Sequence, residues 1–103
     1  MAYVIIWEFM VRSGMQKQFE VAYGLHGEWV RLFREDSAYI RTELLQDAYE
    51  GRRYLTLDFW VSEAAYEAFR ESRKDEYKGI DAKCEQMTDT EREVGRFSGI
   101  DAR

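Results

Sequence analysis

Hydrophobic positions along this chain switch between two periods. Tyr3–Arg12 (YVIIWEFMVR) has period two: Ile5, Trp7, Phe9 and Val11 point one way and Val4, Ile6, Glu8 and Met10 the other, as in a β-strand. After a Ser13–Gly14 turn, Met15–Tyr23 places Met15, Phe19, Ala22 and Tyr23 at spacings of three and four, the stripe of an amphipathic helix. Gly24 and Gly27 bracket Leu25–His26 and break that helix; Glu28–Arg34 resumes it with Trp29, Leu32 and Phe33 on the buried side, and Glu35–Ser37 ends it. Ala38–Asp47 returns to period two, with Tyr39, Arg41, Glu43 and Leu45 alternating with Ile40, Thr42 and Leu44. Tyr49–Gly51 is the tight connection of a hairpin into a third strand, Arg52–Val61. Ser62 then suits an N-cap, with Glu63 in the first turn of the next helix. That helix carries Ala65, Tyr66, Phe69 and Tyr77, has Gly79 as its point of bending, and extends its apolar stripe through Ile80, Cys84 and Met87. Thr88–Thr90 reads as a turn or cap and Glu93–Ser98 as a short final strand.

The resulting order, β–α–β–β–α–β, predicts a ferredoxin-like α+β fold with one antiparallel sheet and helices on one face. The third strand shows what each face must do. Leu55, Leu57, Phe59 and Val61 form a greasy side, whereas Tyr54, Thr56, Asp58 and Trp60 form a mixed side suited to a helix-covered cavity. The other face of the sheet would carry Val4, Ile6, Met10, Ile40, Leu44, Leu55, Leu57 and Phe59, too large an apolar patch for a soluble monomer. A homodimer through that open sheet face is expected.

Composition narrows the partners. A length of 103 residues predicts one domain, 1–103, and the absence of proline removes any Pro-rich linker. Aromatic residues make up 16% of the chain, more than a small core usually needs, which points to an interface or a ligand pocket. The formal charge of −5 argues against nucleic acid and anionic membranes, both of which require a basic surface. No apolar run approaches the ~18 residues of a membrane-spanning helix. The N-terminus lacks the basic region of a signal peptide, and a lone cysteine, Cys84, fits a reducing, cytoplasmic setting. One His and one Cys make no metal site, and there is no phosphate loop, dinucleotide fingerprint or nucleophile elbow, so no metal or cofactor is expected.

The first strand WEFMVRSG, the hairpin YIRTELLQD…RRYLTLDFW and the helix start SEAAYEAF together resemble the antibiotic biosynthesis monooxygenase family of dimeric α/β barrels, over about residues 3–98. The resemblance implies a ligand cavity within each monomer, between sheet and helices, and a dimer built on the second sheet face. Its members include cofactor-independent oxygenases of phenols, quinol oxygenases and haem-degrading enzymes. The haem-degrading branch carries an axial histidine where this chain has Tyr77–Ile80, and an asparagine where it has Trp7, so haem degradation is not expected here. A cofactor-independent monooxygenase acting on a small phenol- or quinol-type substrate is the leading expectation. A non-catalytic dimer that binds a small apolar metabolite is the alternative, and a purely structural dimer a third reading.

Two residues are candidate bases. His26 is the only imidazole and lies where the chain can loop over a cavity mouth; the competing reading is an exposed loop histidine. Asp58 sits mid-strand on the helix-facing side, where burial would raise its pKa; the competing reading is a salt bridge, for instance to Arg41. Glu8 is expected to pair with an Arg or Tyr across the interface. Trp7, Trp29, Tyr39, Tyr54, Trp60 and Phe69 are candidate substrate-binding residues that would enclose a flat aromatic ligand, or else constitute the core itself. Tyr54 or Tyr39 would be the hydrogen-bond partner of the base.

Overall fold

A computed structural model describes residues 2–100, so the ends of the expected 1–103 domain lie outside the described residues. The elements are β1 (Tyr3–Val11), α1 (Gln16–Tyr23), α2 (Glu28–Phe33), β2 (Tyr39–Gln46), β3 (Arg53–Trp60), α3 (Glu63–Ser72), α4 (Lys74–Cys84) and β4 (Thr88–Ser98), with a 3₁₀ turn at Glu85–Met87. The strands form one antiparallel sheet in the order β2-β3-β1-β4. This is the ferredoxin-like α+β fold that the sequence predicts. Ile5, Phe9, Val11, Tyr54 and Trp60 from the sheet pack against Phe19, Tyr23, Trp29, Phe33, Tyr66 and Phe69 from the helices to make the core.

Local chemistry explains several of the boundaries. Ser62 Oγ accepts the Ala65 N–H at 3.1 Å, the N-cap expected for α3. Gly14 turns the chain out of β1 at φ 85, a conformation that costs other residues a steric clash. Gly27 allows a close approach: a Cβ there would collide with the carbonyl oxygens of Val21 and Ala22. That contact folds α2 back against α1 and holds Trp29 over the sheet.

Three sequence expectations need correction. Leu44, assigned above to the open face, pairs with Thr56 and lies on the helix side. The cause is a bulge: Tyr39 pairs with Trp60 and Arg41 with Phe59, so Ile40 is an extra residue and the alternation slips by one. The long second helix breaks at Arg73 (φ -120, ψ 25), not at Gly79, which lies inside α4. At the break Arg73 reaches Glu35 at 2.6 Å and Glu76 at 2.8 Å, tying the corner to the end of α2. β4 begins at Thr88, where the sequence suggested a turn, and runs the full length of β1. Its charged residues and irregular register with β1 hide the alternation.

The open face carries Val4, Ile6, Met10, Leu55, Leu57 and Phe59, as expected, joined by Leu45 and Phe97 from the strands at either edge. No described helix is long and apolar enough to cross a membrane.

Candidate functional site

The strand register sets three rows of side chains under the helices. Thr42, Asp58 and Ile5 lie side by side in the first row, Leu44, Thr56 and Trp7 in the second, and Tyr54, Phe9 and Glu91 in the third. Above these rows the helices contribute Tyr23 from α1, Trp29, Val30 and Phe33 from α2, and Tyr77 and Asp81 from α4. Between the two layers remains a cavity of about 40 Å³, lined by Trp7, Phe9, Thr42, Thr56, Asp58 and Glu91 below and by those six helix residues above. A space of that size accepts roughly a few water molecules, against the roughly 150 Å³ of a cavity known to take benzene. A ring can therefore enter only if part of the wall moves. Tyr23 and Thr42 are shared with a surface groove of about 400 Å³ beside Gly24, Leu25 and residues 43–45, and they form the partition between the two spaces.

Asp58 is the chemically distinctive group. Burial pushes its carboxyl from the ordinary 3.8 up to about 6, opposed only in part by the hydrogen bond it accepts from Thr42. Thr42 Oγ1 donates to Asp58 Oδ1 at 2.7 Å, and the Tyr39 hydroxyl donates to Thr42 Oγ1 at 2.8 Å, a chain of two hydrogen bonds that fixes the carboxylate. The second oxygen, Oδ2, has no hydrogen bond to the described residues. Arg41, the salt-bridge partner considered for Asp58, lies on the opposite face, 3.8 Å over the Phe59 ring and bound to Glu43. The result is a carboxylate that is ionised at neutral pH, more basic than usual and free at one oxygen.

The walls around it are aromatic. The Trp29 and Tyr77 rings meet edge to face with centroids 4.8 Å apart, and Trp7 lies beside Phe9 at 6.5 Å. Trp29 is 7% exposed, and its ring N–H makes no hydrogen bond of normal geometry, although Tyr23 and Cys84 are close by. Burial raises the pKa of Tyr23 and of Tyr77, so both phenols stay protonated. Glu91 is raised too, by burial first and then by Asp81 and Glu85.

Of the residues singled out from the sequence, Trp7, Trp29 and Asp58 meet at this cavity. Tyr39 reaches it through Thr42. Tyr54 lies beyond it, its hydroxyl donating to Glu20 and accepting from Gln46. Trp60 and Phe69 sit in the core, where Trp60 packs among Phe33, Tyr39, Tyr66 and Phe69. His26 is exposed and faces a separate groove with Lys17, Arg31 and Lys83. Thr42, Tyr77, Asp81 and Glu91 were not singled out as site residues. Tyr77 and Asp81 stand one helical turn apart, a spacing legible in the sequence; Thr42 and Glu91 were hidden by the bulge in β2 and by the unrecognised start of β4.

Fold and cavity together define a ferredoxin-like protein with an aromatic, carboxylate-bearing pocket under its helices. The sequence matches the antibiotic biosynthesis monooxygenase family over residues 2–82, and the chain belongs to that family. Among solved structures it is similar to SnoaB, a cofactor-independent oxygenase from Streptomyces nogalater, with a TM-score of 0.79 at 15% identity over 98% of this chain and 95% of that chain. A NIPSNAP family protein from Agrobacterium tumefaciens superposes with a TM-score of 0.72 at 9% identity, covering 98% of this chain and 95% of that one. A conserved protein from Methanosarcina mazei gives 0.71 at 15%, covering 93% and 90%. At such identities the likeness is one of fold. No curated protein matches the sequence.

Proposed function

We propose that the protein is a cofactor-independent monooxygenase acting on a small phenol- or quinol-type substrate in the cavity between sheet and helices. The observation that carries this reading is Asp58, a basic carboxylate with one free oxygen and no ion-pair partner among the described residues, set in an aromatic enclosure. Family membership and the fold shared with a cofactor-independent oxygenase support it. Asp58 Oδ2 takes the phenolic proton, and the electron-rich phenolate passes an electron to O₂. For a phenol with a free para position, one oxygen atom enters the ring and the other leaves as water; the ring's own hydrogens supply the electrons and the product is a quinone. The aromatic walls keep water from the intermediate. Entry of the ring displaces Tyr23 from the partition and leaves the Thr42–Asp58 hydrogen bond in place.

Oxygen uptake with 3-substituted phenols that carry a free para position, with ¹⁸O₂ supplying the label found in the quinone, tests this directly. Formation of quinone, reduced at least a hundredfold in Asp58→Asn, is expected. Ligands that bind and are recovered unchanged would replace the reading with that of a non-catalytic binding protein.

The working unit is proposed to be a homodimer closed through the open sheet face, whose apolar centre of Val4, Ile6, Leu55 and Leu57 needs cover. Leu57→Arg is expected to give a monomer in sedimentation velocity; an unchanged dimer would move the interface elsewhere.

A further inference from the structure

We propose that the pocket selects aromatic ligands bearing a positive charge, such as a protonated aminoalkyl phenol, over neutral or acidic ones of the same shape. This rests on the reading that the cavity between sheet and helices is the ligand site. It does not depend on whether the ligand is then oxidised.

The charges of the lining all have one sign. Asp58 on the floor, Asp81 on α4 and Glu91 on β4 line the cavity, and no Lys, Arg or His does. None of the three carboxylates forms an ion pair with a described residue. Arg70, the guanidinium that stacks 3.9 Å from the Tyr77 ring centroid, donates to the Tyr66 hydroxyl and is not part of the lining. Asp58 and Asp81 are half-buried and Glu91 is exposed; Asp81 and Glu91 repel each other and any anionic ligand, and a bound cation relieves both costs. They are too dispersed to hold a metal ion: no described group of three or more His, Cys, Asp or Glu is arranged for one.

The remaining lining points the same way. Trp7, Trp29 and Tyr77 offer π surfaces that attract an ammonium group as well as a ring. The ring N–H of Trp29 is buried beside Tyr23 and Cys84 without a hydrogen bond of normal geometry. A phenolic oxygen can donate its proton to Asp58, which leaves Asp81 and Glu91 for a cationic tail. Ring, hydroxyl and ammonium thus each find a counterpart.

Three ligands of one shape separate the effects: 3-hydroxyphenethylamine, 3-hydroxyphenethyl alcohol and 3-hydroxyphenylacetate. Calorimetric titration of each at low ionic strength is expected to show the amine binding on the order of tenfold tighter than the alcohol, with the acid weakest. In Asp81→Asn/Glu91→Gln the amine-to-alcohol ratio should fall below about twofold. Glu71→Gln, a charge change on the exposed face of α3, should leave the ratio as it is. Equal affinities for the amine and the alcohol, a preference that survives in the double variant, or no binding of any of the three would overturn the inference. Oxygen uptake in the same samples is read separately. The expected charge order without uptake would sink the oxygenase reading and leave the selectivity standing.

Discussion

Two carboxylates on the central strands of this sheet have opposite fates. Glu8 on β1 faces the open side and is clasped by two guanidinium groups, Arg53 at 2.6 Å and Arg92 at 3.0 Å, which hold its pKa below the usual carboxylate value. Asp58 on β3 faces the helices, has one threonine hydroxyl for company and is pushed up to about 6 by burial. The two strands are neighbours and paired throughout. What differs is whether the fold supplies a cation. A carboxylate whose charge is already neutralised by two arginines has little left to offer a ligand; one held in an apolar site without a counter-ion is destabilising on its own and reactive for the same reason.

The sharpest way to break the comparison is to remove each charge in turn. Asp58→Asn should lower turnover by about 10²–10⁴, the usual contribution of a positioned base, while Glu8→Gln should leave the rate within about twofold. Oxygen-electrode assays of both variants decide this, and equal losses would dissolve the distinction between the two faces. Next in size is the contrast between wall and core. Trp60→Ala should destabilise the fold by about 3–5 kcal/mol in urea unfolding, since the ring is fully buried among four other aromatics. Trp7→Ala, on the cavity wall and only partly buried, should cost less than about 2 kcal/mol in the same assay and instead weaken ligand binding.

Stability against pH gives the third contrast, and the two carboxylates should move in opposite directions. Because the folded pKa of Asp58 lies above its unfolded value near 4, its favourable contribution is complete below pH 4 and is lost as pH rises through about 6. Asp58→Asn should therefore stabilise the protein at pH 8 by up to roughly 3 kcal/mol and by almost nothing at pH 4. Glu8 has the reverse sign: its contribution is present above its unfolded pKa and lost as pH falls through its lowered folded value. Glu8→Gln should be mildly destabilising at pH 7, with the effect vanishing in acid or high salt, the smallest change of the set. Paired urea titrations at pH 4 and pH 8 check both signs.

Much of the fold could be read from alternation alone. The faces of β1 and β3 follow from strict period two, and Ser62 marks the start of α3 by residue type alone. The errors cluster where the backbone departs from its ideal period. One extra residue at Ile40 reversed the assignment of Leu44, and the irregular, charge-rich edge of β4 concealed where that strand begins. The helix break at Arg73 is tied to Glu35 by a tertiary ion pair, which no local propensity encodes. The candidate site was legible to the same degree. Asp58, Trp7 and Trp29 stood out by residue type and face, because a carboxylate in mid-strand is conspicuous. Thr42, Asp81 and Glu91 are ordinary residues that matter only through cross-strand pairing or helix docking. Trp60 and Phe69 share the pattern of wall residues yet pack into the core, a difference decided by three-dimensional neighbours.

The central claim, that Asp58 is an unpaired and unusually basic carboxylate in an aromatic cavity, is open to direct titration. Carboxyl ¹³C NMR of the protein, with the Asp58 resonance assigned by its loss in Asp58→Asn, should give a midpoint at about pH 6 for this group. A midpoint at or below the ordinary 3.8 would show that a cation or solvent reaches the carboxylate after all, and the proposed base would be lost.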